Sequence, residues 1–451
     1  MKRDIIVIGA GAAGRSAALE AARCGLRVLL VAGGEDALLR ASAARGLRRV
    51  HSAVAQALTS DGSTNDVSRV RLDLASLMTA DVRDVLMQLS VRERNIQVDS
   101  GRVELSSPRS VRLADGSSCE APLLVVATDG YPRRPAQLGF DDHLVCDAES
   151  VWLRAELPRS AVVLGADAEG CAVACLLGAL GVPVTLIDRR SRSLRYVDRE
   201  VLEGFHASVH DLGVELVLSE DVTSVQALRN GPDQVVVSLA SGRREICDAL
   251  VVAGGREAGT AALRLDRASV ETDARGFVLA DDSGRTSQQG VFAVGRAVSE
   301  VGPYLDEHLG RAVVRTALGL TGDGAAAVPL VVESLPEIAM VGLTAEMCRH
   351  LDVPCIESTA ALDGHRAGGA GARGLLKLVV HHRSKTLLGV QVLGFAALEV
   401  VQLGCLLVAK ERSVRELLGL AAPEVSFYTA YSAAARDALL STLPMKTHAP
   451  A

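Results

Sequence analysis

Gly9, Gly11 and Gly14 follow the apolar run DIIVI and precede the helix-forming stretch RSAALEAARCG. This spacing suits the binding of a dinucleotide phosphate. The first glycine allows a tight turn, the second lets the backbone approach a pyrophosphate, and the third lets the helix pack close to the strand. The unpaired N–H groups of the helix then face the phosphate charge. A second apolar strand, LRVLLV, follows, so the glycines open a βαβ unit. VVLGADAEG begins a second such unit with Gly165 and Gly170, and the strand VTLID closes it. Asp188 ends that strand where an acid for ribose hydroxyls is expected. Arg189, Arg190 and Arg192 follow it, either as cations for a 2′-phosphate or as solvated loop charges. Asp167 stands in place of the middle glycine. Its carboxylate repels a pyrophosphate by about 4 kcal/mol at ~4 Å and an effective dielectric near ~20.

The thiols carry less. Cys171 and Cys175 fall on successive turns of the helix after Gly170, where small buried thiols behave as core residues. Cys348 and Cys355 have no metal-ligand spacing. No residue pattern identifies a catalytic side chain or a metal site.

These residues need α/β elements to position them. At 451 residues the chain is too long for a single core. With 49% apolar residues it reads as well-buried and globular. A net charge of −6 argues against nucleic-acid or anionic-membrane partners. The N-terminal apolar run is broken by glycines where a phosphate turn belongs, so it reads as a strand and not as an export signal. Nine cysteines without such a signal suggest reduced thiols and a cytoplasmic protein. From about residue 72 the apolar spacing predicts helix, and RVELSSPRSVRLADGSSCE predicts short strands with turns at SSP and DGS. The single Trp152 is expected at the surface or at a hinge. Residues 363–374 read as a surface loop, and the tail from Pro444 as disordered.

LLVVATDGYPRRP at 123–135 and GVFAVGRA at 290–297 flank the second βαβ unit. In this order the four segments resemble the pyridine nucleotide-disulfide oxidoreductases, two-dinucleotide flavoproteins, over nearly the whole chain. VVAGGREAGT resembles the segment after the family's NAD domain. LPEIAMVGLTAE and LLGVQVLGFAALEVVQLG resemble its C-terminal dimerisation domain. RERNIQVDSGRVEL, SLRYVDREV and TAYSAAARDAL are most similar to the soluble pyridine nucleotide transhydrogenases, with dihydrolipoamide dehydrogenase and mercuric reductase next.

The resemblance implies an α/β fold of two Rossmann-like domains, for FAD and NAD(P), and a C-terminal α+β dimerisation domain. The FAD domain would span residues 1–154 and 271–325, the NAD(P) domain 155–270, and the dimerisation domain 326–451. FAD would be held by Gly9, Gly11, Gly14, Ala127, Thr128, Gly130, Gly295 and Arg296. NAD(P)H would be held by Gly165, Gly170, Asp188, Arg189, Gly255 and Arg256, with Asp167 counting against tight binding. A homodimer is implied, supported by the apolar helix AALEVVQLGCLLVAK.

The chain departs from the family at each reactive position. The redox C-x4-C pair falls near Leu38 and Ala43, and the lysine beside the flavin falls near Leu47. Thiol–disulfide exchange has no nucleophile there. The C-terminal His and Glu positions carry Glu424 and Thr429. Ala32 replaces the acid ending the second strand, with Glu35 and Asp36 nearby. The usual Gly-Asp of the second flavin signature reads Gly295-Arg296, and arginine accepts no hydrogen bond; it could pair with a flavin phosphate instead. Two readings stay open. One is an FAD-dependent enzyme passing hydride between NAD(P)H, flavin and a non-disulfide acceptor. The other is a degenerate, non-catalytic member acting as a binding or regulatory protein.

Overall fold

The computed structural model describes residues 1–59, 65–72, 74–78, 82–229, 233–299, 306–320, 327–362, 374–419 and 426–441. In chain order the first elements are β1 (Ile5–Ile8), α1 (Ala12–Arg23), β2 (Val28–Val31), α2 (Glu35–Thr59), β3 (Ile96–Asp99), β4 (Leu123–Val126) and β5 (Gly130–Pro132). They continue with β6 (Ala161–Leu164), α3 (Ala168–Ala179), β7 (Val184–Asp188), α4 (Arg199–Asp211), β8 (Val214–Leu218), β9 (Ala249–Val252), β10 (Arg256–Ala258), β11 (Val291–Ala293) and α5 (Asp306–Ala317). The last are β12 (Leu330–Val332), β13 (Glu337–Gly342), β14 (Cys355–Ala361), β15 (Leu375–His381), β16 (Leu387–Gly394), α6 (Ala397–Ala409) and α7 (Tyr428–Leu440).

Two compact units form. The first comprises Met1–Val50, Leu72–Leu157 and Val252–Gly324, and the second His51–Arg71, Pro158–Val251 and Ala325–Ala451. In the first, a parallel sheet has the order β11-β4-β1-β2-β3. β1 and β2 are apolar and buried at every position, as central parallel strands covered on both faces must be. α1 turns Ala13, Ala17, Ala18 and Ala21 onto one face of the sheet. An antiparallel meander, Val103–Ser107, Ser110–Leu113 and Ser118–Glu120, packs on the other, where the turn signals place it. Helices at Leu74–Met78 and Val82–Arg92 match the apolar periodicity read from about residue 72, and a further helix spans Asn65–Leu72. Trp152 differs from expectation: it is buried. Residues 252–270 also lie in this first unit, since β10 pairs antiparallel with β5.

In the second unit β8, β7, β6 and β9 are sheet neighbours, with β7 parallel to both β6 and β8. α3 buries Gly170, Cys171, Val173, Ala174 and Cys175, so the two thiols are core residues. A separate antiparallel sheet has the order β12-β13-β16-β15-β14. The Rossmann-like part and this sheet share a buried polar joint. Gln391 Nε2 donates to Asp198 at 2.6 Å, and the Asp198 N–H donates to Gln391 Oε1 at 3.0 Å. Lys377 Nζ lies 2.6 Å from Glu357, 3.5 Å from Asp198 and 3.4 Å from Glu200. No helix among the described residues is long and apolar enough to cross a membrane.

Two predictions follow from the second unit. Lys377 is buried, and its removal leaves Asp198 without its cation. Lys377→Ala should therefore cost about 3–5 kcal/mol in urea unfolding. Glu337 accepts from the Leu398 N–H at 3.3 Å. Burial pushes its carboxyl up to about 7 against the Leu398 and Ala397 N–H groups, with Glu399 adding to the rise. A raised carboxyl contributes stability that is present below its ordinary pKa and lost as pH rises through the folded value. The urea midpoint should fall between pH 5 and 8, and Glu337→Gln should flatten that decline; an unchanged slope would remove Glu337 as its source.

Candidate functional site

The first seat lies at the carboxyl edge of the first sheet, the ligand edge of open α/β folds. Gly9 has φ +127, and a Cβ there would lie 2.0 Å from the Ala127 carbonyl oxygen. A Cβ on Gly14 would lie 1.9 Å from the Gly9 oxygen, so α1 is seated directly on the turn. Gly11 caps α1 without a side-chain bond, and the first turn holds no acid. The chain leaves β4 through Ala127 and Thr128 and leaves β11 through Gly295 and Arg296. These strands are parallel neighbours, with Val126 opposite Ala293. The structure therefore brings together Gly9, Gly11, Gly14, Ala127, Thr128, Gly295 and Arg296. Thr128 Oγ1 is buried with no hydrogen-bond partner, a polar atom still awaiting one. Gly130 serves packing, because a Cβ there would meet the Glu257 oxygen at 2.9 Å.

Asp129 was missed by sequence reasoning, although it stands inside the quoted TDG segment. Its Oδ1 lies 2.5 Å from where a Gly11 Cβ would be. Burial pushes its carboxyl up, opposed by Arg296, Arg256 and Arg15 and reinforced by Glu149. Arg256 donates to the Gly130 oxygen at 2.8 Å and to Glu149 at 2.5 Å. Arg40 joins Glu149 at 3.3 Å and stacks over Tyr131 at 4.4 Å. Gly255 and Arg256, expected with the pyridine nucleotide, thus belong to the first unit: Gly255 accepts from Arg133 N at 2.9 Å. The sequence groups them with the second βαβ unit because they follow its last strand. The β10–β5 pairing is invisible in the linear order.

Glu35 and Asp36, the acids nearest Ala32, are tied to Arg83 and Arg102 at the exposed start of α2. Where a redox pair would stand, α2 is continuous, and Leu38 is buried in the core. Thr429 donates to the Ser426 oxygen at 2.8 Å, and Glu424 lies outside the described residues.

The second seat is paired with itself. Gly165 turns the chain with φ +104, and Asp167 caps α3, accepting from Ala168 N at 3.1 Å. Asp188 accepts from Ala166 N at 2.6 Å, Arg190 N at 2.8 Å, Arg190 Nε at 2.9 Å and Arg190 Nη2 at 2.6 Å. Arg190 Nη1 reaches Asp167 at 3.1 Å. Burial would raise the Asp188 carboxyl, but Arg190 and the Ala166 N–H hold it below the usual range. The Tyr196 hydroxyl lies beside Asp167, and burial with that charge pushes its pKa up. Asp188, expected as the ribose-binding acid, accepts these four hydrogen bonds from its own chain. Of the three arginines, Arg189 is exposed, Arg190 bridges the two acids, and Arg192 pairs with Glu346 at 3.0 Å. The carboxylate of Asp167 is also not a bare charge, since Arg190 compensates it.

A nucleotide therefore finds two unlike seats. The first keeps a glycine cradle, an uncapped helix and an orphan hydroxyl, and it fits a flavin dinucleotide apart from Asp129. The second fits a pyridine nucleotide only after Arg190 leaves Asp188.

Comparison with known proteins agrees with this architecture. The family model described as pyridine nucleotide-disulphide oxidoreductase matches residues 3–314, and its dimerisation domain matches residues 328–426. A soluble pyridine nucleotide transhydrogenase of Mycobacterium bovis is 28% identical, covering 97% of this chain and 97% of its own. One from Marinomonas sp. is also 28% identical, over 89% of this chain and 90% of its own. Among solved structures, LpdA from Mycobacterium tuberculosis superposes with a TM-score of 0.82 at 24% identity, covering 96% of this chain and 99% of that one. The HOCl-induced flavoprotein disulfide reductase RclA from Escherichia coli gives 0.83 at 21% identity, with coverage of 96% and 99%. FAD and a pyridine nucleotide are the cofactors of this group, and the chain, with both dinucleotide folds and the dimerisation segment in order, belongs to the pyridine nucleotide-disulphide oxidoreductase family.

Proposed function

We propose that this chain is an FAD-dependent pyridine-nucleotide oxidoreductase of the transhydrogenase type that serves a non-disulfide acceptor and works as a homodimer. The observation that carries the reading is the contrast within the first unit. The cradle of Gly9, Gly11 and Gly14 is intact and Thr128 Oγ1 lacks a partner, while α2 buries Leu38 where a thiol would be needed. Bound FAD would supply a two-electron acceptor for hydride, chemistry that needs no protein thiol. The chain's own residues bind and orient. The α1 N-terminus holds the pyrophosphate, Thr128 supplies a hydroxyl, and Arg296 and Arg15 supply positive charge. At the second seat, Asp188 takes ribose hydroxyls once Arg190 has swung away.

The Asp167–Arg190–Asp188 network favours a second reading, in which the fold and the dimer persist but pyridine nucleotide does not enter. A single experiment separates the two. The purified protein should show a flavin absorption band that survives desalting, and anaerobic NADH or NADPH should bleach it. A retained flavin that neither nucleotide reduces would favour the non-catalytic reading, and a colourless protein unable to keep added FAD would remove the flavoenzyme altogether. Dihydrolipoamide and glutathione disulfide should give no turnover through this site.

Asp167→Gly should lower the dissociation constant for NADH by about tenfold or more in calorimetric titration. The same change replaces a helix cap by glycine, which costs roughly a few tenths of a kcal/mol of stability. Micromolar binding by the unaltered chain would show that the ion pair is no obstacle. Light scattering should give twice the chain mass of 47.1 kDa.

A further inference from the structure

We propose that Asp129 is a displaceable internal anion, lodged in the pyrophosphate seat of the first unit until FAD takes its place. The inference rests on the flavin-binding reading above and adds a gate to it. Three observations converge. The carboxylate lies against Gly11, the one residue whose bare Cα should face a pyrophosphate, with Oδ1 2.5 Å from the site of a Cβ. It supplies negative charge beside a helix that has neither a side-chain cap nor a first-turn acid. The positive charges of Arg296 beyond β11, Arg256 on β10 and Arg15 on α1 oppose the rise that burial gives its carboxyl.

The register sets Arg296 level with Asp129. Val126 pairs with Ala293, so Asp129 and Arg296 are each the third residue past matched positions on adjacent parallel strands. A carboxylate follows one strand end and a cation follows its neighbour. Set against Arg15, Arg256 and Arg296 are Asp129 and Glu149, the latter already bound to Arg40 and Arg256. Withdrawing Asp129 leaves the cluster more positive and ready for a dianionic pyrophosphate. The side chain is half-buried. Thr128, next to it, holds the orphan hydroxyl that a bound ligand would satisfy.

FAD affinity measured on the full chain, stripped of flavin and followed by quenching of FAD fluorescence, tests this. Asp129→Gly and the near-isosteric Asp129→Asn should both bind about tenfold more tightly than the unaltered chain. Affinity of the unaltered chain should rise as pH falls toward the carboxylate range, because the arginines keep their charge while Asp129 loses its own. Asp129→Asn should lose that dependence. Equal or weaker binding by the Asn variant, with its melting transition intact, overturns the proposal, as does tightening in the Gly variant alone. Failure of every form to hold FAD overturns both the gate and the flavoprotein reading. FAD held by the variants but not by the unaltered chain supports the gate and removes only that reading.

Discussion

A helix N-terminus directed at the carboxyl edge of a parallel sheet calls for negative charge, and both Rossmann-like parts of this chain are organised around that demand. Unpaired N–H groups and the aligned peptide dipoles make the first turn of α1 and of α3 electropositive. A dinucleotide phosphate usually answers. Here a carboxylate of the chain stands at each position: Asp167 caps α3 itself, and Asp129 reaches the Gly11 turn from the neighbouring strand end. Each then requires cations of its own, and arginines supply them.

The departures from the family are therefore coupled. Asp167 alone would repel a phosphate, but with Arg190 bridging it to Asp188 it completes a closed set of ion pairs. Arg296 alone would remove a hydrogen-bond acceptor, but beside Asp129 it is a counter-ion. The hydrophobic framework is indifferent to these exchanges, because β1, β2 and the inner face of α1 are apolar throughout. A fold held by buried aliphatic strands tolerates rewiring at its polar edge.

Loss of the thiol pair is a change of another kind. Leu38 is not a neutral replacement in an open site; it joins the core under α2. The residues of α2 up to Val50 pack in the first unit.

The linear order alone determined the two βαβ units, the buried parallel strands and the lack of cysteine in residues 33–53. Those depend on local spacing and residue type, as with Gly9-x-Gly11-x-x-Gly14 and the unbroken IIVI. It also exposed Asp167 and Arg296 as misfits. It could not show their partners. Asp129 meets Gly11 and Arg296 only because β4 and β11, far apart in the chain, pair in register. Arg256 follows the second βαβ unit in sequence yet belongs to the first unit, through the β10–β5 pairing. Arg190 was visible as one of several similar arginines; its selection over Arg189 depends on which side chain the turn after β7 aims back at Asp188. Short-range pattern determines which elements form, whereas the pairing of charges depends on long-range register and side-chain direction, which only the folded chain supplies.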